Sequence, residues 1–324
     1  MLNPMLEAWS SFAFSPWNAA PFLFAPPPAP VRDRDAGQFI AERFDTDSGS
    51  LHYKLFIPKA YTGALLPLIV MLHGCGQDAE DFAGGTGMNA LAEKFHCLVA
   101  YPEQSPRANG SKCWNWFDEG HHQRGQGEPA LIAGITQQII AEYAVDTTRV
   151  CVAGLSSGGA MAVILGRTYP DLFTAVGCHS GLAHGSATDR YGAMLAMRNG
   201  AATSTLARSG LAASGPIIVF HGDMDATVHI NNSAGVVQQS IDSYTAALPH
   251  QRPPEIVLSE ETGEMTGREF TRNIHRGIAG EIVAEQWTVH GSGHAWSGGS
   301  RRGSYTDTQG PDASEEMLRF FMRR

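Results

Sequence analysis

Short apolar runs alternate along the chain with stretches whose apolar residues recur at helical spacing. Five runs are partly β-branched or aromatic, and several end in glycine, which is typical of buried strands. These runs are residues 66–72, 97–101, 150–153, 175–178 and 217–220. Residues 128–143 place Leu131 and Ile135 on one predicted helical face. Residues 157–169 form a small-residue helical pattern that Pro170 ends.

This alternation predicts an α/β fold with a mostly parallel central sheet, right-handed crossovers and flanking helices. Functional sites on such sheets lie at the carboxyl ends of the strands. Residues 37–324 are predicted to form this domain. Residues 184–215, rich in Ala, Ser and Gly, interrupt the alternation, and they indicate either a lid over the site or an ordinary surface loop with one helix.

Residues 1–36 have a different character, with four prolines among residues 26–30. Proline in such density favours an extended conformation, so the segment is predicted to be a flexible arm. In the alternative, Trp9 and Trp17 dock on the body of the protein or on a partner. The first thirty residues contain no Lys or Arg, so no clear secretory signal precedes the domain as numbered, and the compartment stays open.

Composition narrows the classes of function. Hydrophobic residues make up 43% of the 324 residues and charged residues 17%, which is typical of a compact globular protein. The formal net charge is -9 and no dense run of Lys or Arg occurs, which argues against nucleic acid or an anionic membrane as partner. No apolar stretch is long enough to span a membrane.

The first chemical motif follows the third apolar run, where Gly154-Leu155-Ser156-Ser157-Gly158 joins a predicted strand to a predicted helix. A nucleophile on a tight strand-to-helix turn has a strained backbone, and side chains two residues to either side would collide with their surroundings. Glycine at both flanking positions removes that collision. The motif predicts Ser156 as nucleophile, with the Ser157 amide facing the same space.

A second motif, His73-Gly74-Cys75-Gly76, follows the first apolar run. A turn with two glycines can expose a backbone amide, and a loop after an early strand commonly supplies one donor of an oxyanion hole. The predicted donors are therefore the amides of Cys75 and Ser157. We interpret His73 as a buried structural histidine.

The general base that would activate Ser156 and the acid that would orient this base each have two candidates. Asp223 and Asp225 follow the strand at 217–220, and the spacing His-Gly-x-x-Asp favours Asp225. His290 ends a late strand, whereas His294 lies in a glycine-rich loop that can reach the serine. The predicted set of Ser156, Asp225 and His294 follows the chain order of the α/β-hydrolase fold and not the orders of chymotrypsin or subtilisin.

At these residues the chain resembles the polyhydroxybutyrate depolymerase-type esterase family, which includes feruloyl-esterase-like members. The resemblance covers about residues 37–324. It is carried by residues 72–77, 113–117, 154–159, 221–228, 293–299 and 303–307. It implies an α/β-hydrolase that cleaves short hydroxyacid polyesters of the poly-3-hydroxybutyrate type, or aryl esters, without a metal or an organic cofactor. The implied partner is a small or oligomeric ester; the sequence does not predict the oligomeric state.

The resemblance also implies a disulfide between Cys75 and Cys113, the alternative being two adjacent reduced thiols. A disulfide would indicate an oxidising compartment, hence a secreted or periplasmic protein. The other cysteines are Cys97, Cys151 and Cys178, and their pairing stays open. No Cys-x-x-Cys pair occurs, and an odd count leaves at least one thiol free if the others pair within the chain.

Trp114, Trp116 and Trp296 lie in loops expected to surround the site, so we interpret them as candidate substrate-binding residues, with burial in the core as the alternative. The chain ends soon after its last predicted helix. This favours oligomers, amorphous polymer or small esters over crystalline polymer as substrate. A feruloyl or general short-chain esterase is the main alternative. An acyltransferase, a serine peptidase and a silent binding module are less favoured.

Overall fold

A computed structural model describes residues 37–47, 49–201, 214–248 and 256–323. Within these residues ten strands form one sheet. In chain order they are β1 Gln38–Thr46, β2 Gly49–Ile57, β3 Leu66–Leu72, β4 Leu98–Glu103, β5 Val145–Leu155, β6 Ala175–His179, β7 Ile217–Gly222, β8 Val257–Met265, β9 Arg268–Arg276 and β10 Ile282–Val289. Two short strands, β11 Trp296–Ser297 and β12 Thr306–Asp307, pair separately.

The strands of the large sheet lie in the order β1-β2-β4-β3-β5-β6-β7-β10-β9-β8. The six strands from β4 to β10 in this order are parallel, and β1–β2 and β8–β9 add antiparallel pairs at the two edges. The predicted mostly parallel sheet is confirmed. All five predicted strands are present in its parallel part.

The described helices are α1 Ala79–Thr86, α2 Met88–Phe95, α3 Gly127–Glu142, α4 Ser157–Thr168, α5 Arg190–Asn199, α6 Asn231–Ala247 and α7 Ala313–Phe321. The two helices predicted at 128–143 and 157–169 are confirmed to within a residue at each end. Asp78 and Asp312 cap α1 and α7 by accepting hydrogen bonds from backbone amides of the first turn.

Two apolar layers, one on each face of the sheet, explain why β3 is apolar throughout. Leu68, Val70 and Leu72 pack into the layer that contains α3 and α4. Ile69 and Met71 point into the other layer, with α1, α2 and α7. Successive side chains of a strand face opposite sides, so a strand covered by helices on both faces has no polar side.

The predicted lid falls partly outside the described residues, because 202–213 are not among them. The described part includes α5, which Asp189 caps and which contacts α6 through Asn232, whose side-chain amide donates to the Ala196 carbonyl at 2.9 Å. Whether 184–215 acts as a lid stays a prediction. The predicted arm, residues 1–36, also lies outside the described part of the chain. No helix in the described ranges is long and apolar enough to cross a membrane.

Candidate active site

Ser156 stands on the turn between β5 and α4, with φ 56° and ψ −117°. This conformation is rare for a residue with a side chain and persists only where the surroundings enforce it. The surroundings here are backbone. A Cβ on Gly154 would lie 2.4 Å from the Gly158 carbonyl carbon, and one on Gly158 would lie 2.1 Å from the Leu72 oxygen. The two glycines therefore let β5, α4 and the end of β3 meet beneath the serine.

The two neighbouring serines have different environments. The Ser156 amide donates to the His179 carbonyl at 2.8 Å, which fixes the turn to β6. The Ser157 hydroxyl accepts from the Trp114 amide at 3.4 Å and lies 3.5 Å from the Cys75 sulfur. The Ser157 side chain is thus engaged in holding neighbouring loops, which leaves its backbone amide as its contribution to the site.

The structure brings Asp225 and His294 together. Their carboxylate and Nδ1 atoms lie 2.7 Å apart, and the Asp225 side chain is fully buried. The other carboxylate oxygen of Asp225 accepts from the amides of Thr227 and Val228, each at 2.8 Å. Because Nδ1 of His294 donates to a carboxylate, the neutral ring carries its lone pair on Nε2, the atom that a general base needs.

Asp225 stays ionised despite its burial. Burial opposes its charge, but hydrogen bonds from His221 and then His294 outweigh it and hold the pKa of Asp225 well below its usual range. Nε2 of His221 lies 2.7 Å from the Val228 carbonyl oxygen and 3.4 Å from the Asp225 carboxylate. A carbonyl only accepts, so this nitrogen carries the proton, and His221 faces the acid as a donor.

The second predicted acid and base form a pair of their own. Nδ1 of His290 lies 2.8 Å from the Asp223 carboxylate, whose other oxygen accepts from the Gly291 amide at 2.7 Å. Both side chains are more than a third exposed, whereas the Asp225 side chain has no exposed surface and that of His294 is 12% exposed. The predicted pair, Asp225 with His294, is thus the more enclosed of the two. Asp223 instead holds the turn at Gly291, before the His294 loop.

The two loops also meet backbone to backbone. A Cβ on Gly222 would lie 2.3 Å from the Ser292 oxygen and 2.7 Å from the Gly293 oxygen. Glycine at this position thus lets the loop after β7 approach the loop after β10. The close approach explains why a glycine follows His221 in the acid motif.

The loop that carries the predicted oxyanion donor is held from several sides. The structure contains the Cys75–Cys113 disulfide that the family resemblance implied. The Gly76 amide donates to the Ser111 carbonyl at 2.7 Å, and the Gly74 amide donates to the side chain of Gln77 at 2.9 Å. Among the described residues none accepts a hydrogen bond from the Cys75 amide, which leaves that donor available for a ligand.

A buried polar network lies beneath the disulfide, and the sequence did not indicate it. Nδ1 of His73 donates to the Gly74 carbonyl at 2.7 Å, and Nε2 accepts from the Gln104 amide at 3.0 Å. Burial lowers the pKa of His73 to about 4, so this ring is neutral and structural, as interpreted from sequence. The carboxylate of Glu128 accepts from the Asn115 amide at 2.8 Å and from the Gln104 side chain at 2.5 Å.

Of the three tryptophans predicted to bind substrate, Trp114 and Trp296 follow the alternative of burial in the core. Trp114 and Trp296 have no exposed surface, and Trp116 is 5% exposed. The Trp114 indole donates to the His73 carbonyl at 3.1 Å, and that of Trp296 donates to the Ser314 hydroxyl at 3.0 Å. A side chain enclosed by protein cannot contact a substrate in this conformation. Trp114 and Trp296 therefore support the site's loops from below, and substrate contact by Trp116 stays a prediction.

His179 is the residue of the site that the sequence analysis missed. Its carbonyl holds the Ser156 amide, and its Nε2 accepts from the Ser297 amide at 3.0 Å. The ring stacks between Phe220 and Trp296, and burial lowers its pKa to about 3, so it stays a neutral acceptor. One residue thus connects the Ser156 turn to the loop that carries His294. The only sequence signal was a histidine at the end of a buried strand.

Cys97, Cys151 and Cys178 are buried and form no disulfide within the described residues. Burial raises the pKa of Cys97 and of Cys178 to about 12, which keeps both thiols protonated and unreactive. The open question of their pairing is answered in this structure: they pack as small apolar residues.

The sheet order, the strained serine turn after β5 and the buried acid–histidine pair on loops after β7 and β10 define an α/β-hydrolase. The fold of acetyl xylan esterase from Aspergillus awamori is similar, with a TM-score of 0.61 and 20% identity, over 79% of this chain and 94% of that one. The chain belongs to the esterase PHB depolymerase family, whose model matches residues 51–248.

Two curated relatives illustrate the range of the similarity. Poly(3-hydroxyalkanoate) depolymerase C of Paucimonas lemoignei is 32% identical over 260 residues, which are 78% of this chain and 60% of that protein. Feruloyl esterase B of Neurospora crassa is 37% identical over 118 residues, 36% of this chain and 39% of that protein. The chain thus spans less than two thirds of the length of either relative.

Proposed function

We propose that this chain hydrolyses carboxylic esters through an acyl-enzyme on Ser156. The observation that carries the proposal is the buried Asp225–His294 pair, held at the same sheet edge as a serine on a strained turn. In the proposed mechanism His294 takes the Ser156 proton as the hydroxyl attacks the ester carbonyl. The amides of Cys75 and Ser157 donate to the oxyanion that develops.

In the remaining steps of the proposed reaction His294 acts first as an acid and then again as a base. The protonated His294 gives its proton to the leaving alcohol, and the acyl group stays on Ser156. A water, deprotonated by His294, then attacks the acyl carbonyl and releases the carboxylic acid. Asp225 remains ionised throughout and stabilises the imidazolium that forms. Every protein group in these steps belongs to this chain.

For the substrate, we propose short polyesters or oligomers of a 3-hydroxy acid. Membership of the esterase PHB depolymerase family and the similarity to poly(3-hydroxyalkanoate) depolymerase C support this choice. The second candidate is an aryl or short acyl ester, which the similarity to feruloyl esterase B favours. The two candidates share the triad and differ in the groups beside it.

The test compares product release from a soluble 3-hydroxybutyrate trimer with release from methyl ferulate. Ser156→Ala is the blank, and its melting temperature is expected to stay close to that of the native protein. We expect the native enzyme to cleave the trimer with the higher kcat/KM. A clear preference for ferulate would replace the polyester proposal, and turnover by Ser156→Ala would contradict the nucleophile.

Labelling separates catalysis from binding alone. An organophosphonate that reacts with activated serines is expected to modify Ser156, as located by peptide mass spectrometry. The Ser157 hydroxyl, held by the Trp114 amide, is the internal control within the same peptide. Absence of label at Ser156 would contradict the hydrolase mechanism and favour a silent binding module.

A further inference from the structure

A recess of about 510 Å³ is lined in part by the loop that carries the proposed base. Its lining residues are Ala295, Arg301, Thr306, Asp307, Thr308 and Gln309. Ala295 directly follows His294 in the chain, so the loop that carries the proposed base also contributes one residue to the lining of the recess. None of these residues has a role in the proposed acyl transfer.

The recess is part of a fixed backbone frame. The parallel pair β11–β12 joins Trp296 to Thr306 and Ser297 to Asp307. The Gly299 amide donates to the Asp307 carbonyl at 2.8 Å, and the Ser300 amide donates to the Gly85 carbonyl at 2.7 Å. The segment that carries Arg301 is therefore anchored immediately before it.

The charges of the lining leave one cation uncompensated. Asp307 is already engaged, by Arg268 at 2.8 Å and by the Ser292 hydroxyl at 3.1 Å. The side chains of Thr306, Thr308 and Gln309 are neutral. The Arg301 side chain is exposed, and in the described ranges of the chain no carboxylate lies within ion-pair distance of its guanidinium. The recess thus presents hydroxyl and amide groups together with a free guanidinium, which suits a carboxylate.

We propose that this recess binds the carboxylate of the leaving hydroxy acid, with Arg301 as its ligand. The inference rests on the proposed hydroxyacid-ester function and assigns its leaving-group site. When an oligomer of a 3-hydroxy acid is cleaved at its last ester bond, the alcohol that leaves carries the free carboxylate. Only two carbons separate its alcohol carbon–oxygen bond from its carboxyl oxygens, so with the alcohol oxygen at His294 the carboxylate stays close to the loop that carries His294 and Ala295. The recess that Ala295 lines is the position that we assign to it.

The chemistry of the substrate then decides which bond is cleaved. An oligomer with a free terminal carboxylate binds with its last ester bond at Ser156, and a monomeric hydroxy acid is released. An oligomer whose terminal carboxyl is methylated lacks the anion, and methyl ferulate releases methanol, which has no carboxylate at all. Arg301 therefore confers a preference that only hydroxyacid esters can express.

The experiment measures kcat/KM for the 3-hydroxybutyrate trimer as free acid and as methyl ester, with the native protein, Arg301→Gln and Arg302→Gln. Arg302 is the matched control, because it is the next residue, is exposed and does not line the recess. The acid-to-methyl-ester ratio is expected to fall about fivefold in Arg301→Gln, as for the loss of one exposed ion pair. Arg302→Gln is expected to keep the native ratio.

A second readout does not depend on oligomer cleavage. 3-Hydroxybutyrate is tested as a competitive inhibitor of 4-nitrophenyl butyrate hydrolysis, and its inhibition constant is expected to rise about fivefold in Arg301→Gln. An unchanged inhibition constant together with an unchanged acid-to-ester ratio would overturn the carboxylate site. If the native enzyme does not cleave the trimer but 3-hydroxybutyrate inhibits through Arg301, the proposed substrate is wrong and the site stands.

Discussion

Asp223 and Asp225 are two residues apart and each contacts a different histidine. Asp225 is buried and ionised against His294, and Asp223 is exposed against His290. Water screens the attraction between Asp223 and His290. The buried carboxylate of Asp225 is screened much less, so it interacts more strongly with the His294 ring that it orients. Geometry of the same kind thus has very different consequences at the two positions.

This contrast gives a matched pair of variants. Asp225→Asn keeps the shape of the side chain but removes its charge, so His294 loses the partner that fixes its tautomer. We expect kcat/KM on a soluble ester to fall by about 10⁴-fold. Asp223→Asn makes the same chemical change at the exposed pair and is expected to cost severalfold at most. Comparable losses in both variants would contradict the assignment of the acid.

At the scale of elements, the disulfide joins the loop after β3 to the segment before α3 and so positions the Cys75 amide. Without it, the hydrogen bonds that the Gly74 and Gly76 amides donate remain, but Cys75 between them is less restrained. Loss of one oxyanion donor typically raises the barrier by about 2.7–4 kcal/mol. A loosened donor is expected to cost part of that figure.

We therefore expect the double variant Cys75→Ser, Cys113→Ser to lower kcat at least tenfold, with a smaller change in KM, and to lower the melting temperature. Dithiothreitol is expected to produce the same loss in the native protein and none in the double variant. A reductant effect of equal size in both proteins would show that the loss does not come from this disulfide. Kinetics and thermal melting at matched protein concentrations measure both effects.

The sequence predicted those elements whose burial requires a recognisable pattern of apolar residues. The β3 strand is apolar at every position because helices cover both of its faces, so its run stands out. The β8 strand is exposed at all nine positions and pairs along one edge only, so no alternation marks it. Its existence depends on backbone pairing with β9, which a hydrophobic pattern does not report.

The candidate site was predictable to a similar extent and for similar reasons. Glycine spacing indicated the Ser156 turn, because a backbone clash selects glycine wherever such a turn occurs. The burial of Trp296 depends on Ser314 of α7 and on the ring of His179, both distant in sequence. Contacts of that kind leave no local signal, so loop position alone left both substrate contact and burial in the core open for this tryptophan.

At the scale of the whole molecule, three buried histidines with lowered pKa values make the stability of the fold depend on pH. Burial lowers the pKa of His73 to about 4 and the pKa values of His179 and His184 to about 3. Below a pH of about 6.5 the unfolded chain binds protons at these rings, whereas the folded protein does not until the pH reaches those lower values. The unfolded state therefore gains stability relative to the folded state as the pH falls through this range.

We predict that the free energy of unfolding falls between about pH 6.5 and pH 5, with each such histidine contributing up to about 1.4 kcal/mol per pH unit. Urea titrations at several pH values measure it. His184→Asn, a change outside the proposed catalytic groups, is expected to reduce the slope by one histidine's share. A native stability that is flat or rises on acidification in this range would contradict the prediction.

The backbone contact between Gly158 and the end of β3 has a consequence for how activity is lost on heating. No methyl group fits between these segments, so the serine turn and the start of the oxyanion loop are parts of one packed unit with the central strands. We expect such a unit to open with the sheet itself, at a free energy close to that of global unfolding. We therefore expect heat inactivation below the melting transition to start elsewhere in the molecule, with the proposed nucleophile held in place until the fold is lost.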